Sequence, residues 1–71
     1  MAQRFLTLAD VTEELNISAA QAYALVRSGE LPAIQVGGRG QWRVEASELE
    51  GYIQRMYAQT RQRIDAGEFD G

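Results

Sequence analysis

Leu8, Val11 and Leu15 recur at helical spacing, and Ala22, Leu25 and Val26 repeat the pattern a few residues later. Thr7, with Asp10 three residues on, has the form of a helix N-cap, so a first helix runs roughly from Leu8 to Leu15. Asn16 tolerates the left-handed conformation and is a plausible stop. Ser18 with Gln21 forms a second capping box, Ile17 can staple onto Ala22, and Gly29 closes a second helix near Ser28. Leu31-Pro32 then breaks further helix and sends the chain extended.

Ala33 to Val36 and Gln41 to Val44 read as short strands separated by Gly37-Gly38-Arg39-Gly40, whose glycines permit a tight hairpin. Period-two alternation puts Ile34 and Val36 on one face with Trp42 and Val44, leaving Gln35, Gln41 and Arg43 on the other. A lone two-stranded hairpin is marginal, so its apolar face is expected to pack on the helices. Glu45 can cap a third helix, whose stripe is Leu49, Tyr52, Ile53, Met56 and Tyr57. Gln59 to Arg63 are polar with good helix propensity, Ile64 is the only later aliphatic on the stripe, and the closing AGEFDG should fray. The pattern predicts a mainly helical α+β domain over residues 1–58, with a helical extension and frayed acidic tail over 59–71.

Seventy-one residues, 45% of them hydrophobic, allow one domain with one modest core. No apolar run approaches the ~20 residues of a membrane span and no signal-peptide pattern opens the chain, so a soluble, cytoplasmic protein is expected, without a membrane partner. The absence of cysteine and histidine removes disulfides, thiol chemistry, imidazole bases and the usual zinc sites. The carboxylates form no loop with calcium-site spacing. No nucleophile–base pair or acid pair can be named, so no enzyme activity, cofactor, metal or small-molecule ligand is expected.

A net charge of −3 argues against nucleic acid as a partner until its placement is considered. Arg4, Arg27, Arg39 and Arg43 balance Asp10, Glu13, Glu14 and Glu30 over residues 1–44. The acidity belongs to residues 45–71, where three arginines meet six acids. A helix, a turn and a hairpin with an arginine at its tip is how a small domain presents one helix to a DNA major groove and one hairpin to the neighbouring backbone.

The run from Leu6 to Ile53 resembles the small excisionase-like, MerR-related winged helix-turn-helix domains of bacteria and their phages. Its most specific parts are Val26-Arg27-Ser28-Gly29-Glu30-Leu31-Pro32 and Val36-Gly37-Gly38-Arg39-Gly40-Gln41-Trp42-Arg43. The resemblance implies a winged helix-turn-helix fold and a DNA-binding role in transcription or in architectural control of recombination. It implies that the second helix enters the major groove through Ala19, Ala20, Gln21, Tyr23, Ala24 and Arg27, and that Arg39, Gln41 and Arg43 of the wing lie against the adjacent minor groove and backbone. Family members commonly carry arginine or lysine where this chain has Ala19, Ala20 and Ala24, so counterion-release terms are missing here. Alanine can still touch a thymine methyl, and Gln21 can pair with adenine.

Each candidate has a plainer reading beside it. Arg39 is a solvated turn residue or a phosphate contact, and Arg43 a weak surface ion pair or a contact. Tyr23 is a rim core residue or a phosphate hydrogen-bond donor. Arg27 is favoured in the last turn of its helix by the dipole alone, and Gln21 is needed by its capping box. Trp42 is expected to anchor the hairpin to the core, with base stacking the minority reading. Met56 and Tyr57 either close the core or form a partner surface. With about four or five phosphate contacts per monomer, a homodimer or cooperative assembly on double-stranded DNA is expected. The rival from another class is a protein-interaction module that kept the scaffold and lost its DNA face.

Overall fold

Thr7 and Ser18 start the two short helices through reciprocal capping boxes. Thr7 Oγ1 accepts from Asp10 N–H at 3.1 Å while Asp10 accepts from Thr7 N–H at 3.0 Å, and Ser18 and Gln21 repeat the exchange at 3.1 and 3.0 Å. Each helix ends on a left-handed residue, Asn16 at φ 55° and Gly29 at φ 85°. The computed structural model describes residues 4–67, in the order β1 (Phe5–Leu6), α1 (Leu8–Leu15), α2 (Ala19–Ser28), β2 (Ile34–Val36), β3 (Gln41–Glu45) and α3 (Ala46–Asp65). Three helices and a small antiparallel sheet make a mainly helical α+β winged helix-turn-helix, as the sequence predicts.

The sheet has a third strand that periodicity did not reveal. β3 is central, with β1 on one side and β2 on the other. Phe5 pairs with Glu45 and Leu6 with Val44, and Ala46 N–H donates to the Arg4 carbonyl at 2.7 Å. Two residues are too few to show alternation, so only pairing defines β1.

The hairpin faces differ from the sequence expectation. Ile34 pairs with Arg43, Gln35 with Trp42 and Val36 with Gln41. Directly paired residues share a face, so Ile34 and Val36 stand with Gln41 and Arg43, opposite Trp42 and Val44. Ile34 and Val36 are accordingly exposed, and Gln35 shares the core-side face with Trp42. The cause is loop parity. An even four-residue loop closed by Val36 and Gln41 places even positions of one strand beside odd positions of the other, whereas the alternation had been matched even to even. The strand also begins at Ile34 rather than Ala33, and its partner extends to Glu45.

Val11, Ala22, Val26, Leu31, Val44 and Leu49 form the core, with Trp42, Tyr52 and Ile53 half-buried against it. Val11, Leu31 and Val44 are fully buried, each stabilising the domain by about 1.5–3 kcal/mol in transfer terms. Leu31 also fixes the exit from α2, because its N–H donates to the Leu25 carbonyl at 3.1 Å. Glu45 occupies the N-cap position of α3, but its side chain makes no cap bond; it accepts instead from Arg4 Nε at 3.0 Å. α3 continues unbroken past residue 58, and every residue from Tyr57 to Gly67 is exposed. Of the tail expected to fray, residues 68–71 lie outside the described residues. No helix among the described residues is long and apolar enough to cross a membrane.

Candidate nucleic-acid interface

α2 buries Ala22 and Val26 and turns Ala19, Ala20, Gln21, Tyr23, Ala24 and Arg27 outward. All six sequence candidates on this helix are therefore exposed together. Tyr23 is 46% exposed, and the Arg27 guanidinium lies 5.5 Å from its ring centroid, a separation suited to cation–π attraction. That stack holds both side chains on the helix surface, where Ala20, Ala24 and Ser28 complete a shallow depression. Ser28 was not among the sequence candidates; its Oγ bonds to the Leu25 carbonyl and the Glu30 N–H, so it reads locally as a helix-end device. The capping role of Gln21 takes its Oε1 and leaves its amide N–H groups available to donate.

At the wing tip, Gly37 and Gly40 take φ values of 80° and 63°, and Gly40 N–H donates to the Gly37 carbonyl at 3.2 Å. Gln35 Nε2 donates across the turn to the Gly40 carbonyl at 3.1 Å, so the tip is held from its core-side face. Arg39 is exposed at this tip, and no described side chain pairs with it. Arg43 behaves differently. Its guanidinium donates to the Trp42 carbonyl at 2.8 Å and to Gln41 Oε1 at 3.1 Å, which rigidifies it and joins Gln41 to the same unit. The surface ion pair considered for Arg43 is not what is found.

The corrected register adds residues that sequence reasoning missed. The outer sheet face carries Phe5, Ile34 and Val36 beside Gln41, Arg43 and Glu45, all outside the core. Part of it is a depression of about 240 Å³ between Phe5, Pro32, Ile34 and Arg43. Loop parity was the signal available in the sequence. On α3, Met56 is half-buried and Tyr57 is 70% exposed; both line a groove with Leu15, Tyr52, Ile53 and Thr60. This groove does not include the residues of α2 or the wing. Among the described residues, no three metal-ligating side chains gather.

No curated protein and no solved structure matches the chain. A family model described as a helix-turn-helix domain matches residues 5–57, which takes in β1, both short helices, the wing and the core-packed part of α3. By that match the chain belongs to the helix-turn-helix domain family.

Proposed function

We propose that this chain is a small DNA-binding regulator or excisionase-type architectural factor that reads duplex DNA with α2 and steadies itself with the wing. The carrying observation is the exposed face of α2, with Tyr23 and Arg27 stacked, followed by a hairpin whose tip arginine has no described partner. In the major groove, Ala19, Ala20 and Ala24 offer methyl contacts to thymine, and the free Gln21 amide can donate to a base acceptor. Tyr23 and Arg27 suit phosphate contact, which positions the helix without reading sequence. Arg39 and the preorganised Arg43–Gln41 unit suit the adjacent minor groove and backbone. Methyl contacts and a single amide read few base edges, so sequence discrimination is modest, and few cations contribute, so affinity per copy is low and more than one copy acts on a site.

A second reading rests on the same helix. Its exposed face holds three alanines and one arginine, so it presents little positive charge to a polyanion. Titration of labelled mixed-sequence duplex at low salt separates the two. The DNA reading expects saturation at about micromolar concentration or below. No binding in that range refutes the DNA reading and favours the interaction module.

A further inference from the structure

Arg55 reaches from α3 to the turn that follows α2, where its Nη2 donates to the Glu30 carbonyl at 3.3 Å, 25 positions away. Most side-chain hydrogen bonds among the described residues join positions five or fewer apart. This one ties together parts of the chain that local structure leaves separate. α2 packs mainly on α1, whereas β2 is carried by β3, which packs on α1 and α3. The chain between Gly29 and Ala33 is what joins the helix to the wing. Its first half is fastened to α2, because Ser28 Oγ accepts from Glu30 N–H at 3.3 Å and Leu31 N–H donates to the Leu25 carbonyl at 3.1 Å. Pro32 then has no N–H to fix the next step. Leu31 sinks fully into the core, but apolar burial has no direction, while a hydrogen bond has one.

Gly51 agrees with this placement. Glycine is unfavourable in a helix interior, yet Gly51 lies within the second turn of α3, one turn before Arg55. A β-carbon there would meet Arg55 Nη1 at 3.4 Å, and no other described atom within 4 Å outside its neighbours and the backbone of α3. The glycine thus leaves room for the guanidinium to lie along the helix and reach the turn. We propose that Arg55 is a positioning residue for DNA binding, which from α3 sets the angle between α2 and the wing without itself touching DNA. The consequence for DNA rests on the DNA-binding reading, whereas the angle does not.

Two arms test it. Without DNA, spin labels at Ala24→Cys and Gly38→Cys report the distance from α2 to the wing tip, since the chain has no cysteine of its own. Gly38 has open space around it and no left-handed φ, so it accepts a side chain. Diluting labelled chains into unlabelled ones confines the reading to one molecule. Arg55→Met, which keeps the stem and the helix propensity, should shift or broaden that distance. Gly51→Leu should do the same with the charge of Arg55 intact, and adding it to Arg55→Met should change nothing further. With DNA, unlabelled Arg55→Met and Gly51→Leu should each lower affinity about three- to five-fold, the effect of losing one exposed hydrogen bond that preorganises the binding arrangement. The salt slope and the circular dichroism should stay as in the wild type. A slope lower by about 0.9 in Arg55→Met would make Arg55 a phosphate contact and overturn the proposal. So would an unchanged distance, additive effects of the two substitutions, or affinities within about two-fold of the wild type. A wild type that binds no DNA refutes the DNA-binding reading instead, and the distance arm still decides whether Arg55 sets the angle.

Discussion

Replacing Arg39 and Arg43 together with alanine isolates the contribution of the wing to DNA affinity. The side chains of α2 and the wing supply three cations: Arg27, Arg39 and Arg43. Arg4, on the neighbouring strand end, is paired with Glu45 at 3.0 Å, so its charge is already balanced and it is left out of the count. Three phosphate contacts give a slope of about −2.7 for log K against log salt, so affinity falls about forty-fold between 50 and 200 mM salt. With only Arg27 remaining, the slope becomes about −0.9 and the same change in salt costs only about 3.5-fold. The assay is fluorescence anisotropy of a labelled duplex over a salt series. Pairing of two copies on DNA multiplies both slopes alike, so their ratio, about three, is the diagnostic quantity. Losing Arg43 also frees the Trp42 carbonyl and Gln41 Oε1, both able to find water, so the fold should survive. A double variant with the wild-type slope refutes the wing mechanism.

Two further substitutions test the hairpin register and the start of α2. Trp42→Ala should destabilise the domain by about 2–3 kcal/mol, less than a fully buried tryptophan would, whereas Ile34→Thr, on the outer face, should cost under about 0.5 kcal/mol. Denaturant melts compare them; equal losses would mean that Ile34 faces the core after all. Ser18→Ala removes the acceptor for Gln21 N–H and should cost about 1 kcal/mol, a thermal shift of about 4–8 °C. Gln21→Ala should lower DNA affinity by more than its small effect on melting if the free amide reads a base, and equal losses confine Gln21 to capping.

Both short helices were legible because their signals are local. Thr7 with Asp10, Ser18 with Gln21, and the terminators Asn16 and Gly29 each act within a few residues, and both helices lie within the predicted bounds. The sheet was less legible because pairing depends on residues far apart. Nothing in Phe5-Leu6 alone shows that it lies along Glu45 and Val44. The hairpin was recognised from its glycines, yet its faces were exchanged, since alternation within each strand says nothing about phase between strands. The six α2 candidates were legible as an exposed set because Ala22 and Val26 fix which side is buried. For Arg43, only the ion-pair alternative fails, because its partners, a carbonyl and a neighbouring amide on its own strand, carry no charge signature.

The central place of β3 makes it the meeting point of contacts with unequal histories. On its β2 side, Gln35 reaches Gly40 only five positions away, so the hairpin closes a short loop. On its β1 side, Arg4 meets Glu45 across 41 positions, a closure costing about 2 kcal/mol more in chain entropy. The hairpin can therefore form while the chain is still largely unstructured, and β1 docks only after the helices have brought its partner near. In reverse, β1 is the first strand to peel away. Amide hydrogens along that seam should exchange through a local opening, well before global unfolding exposes those of the core.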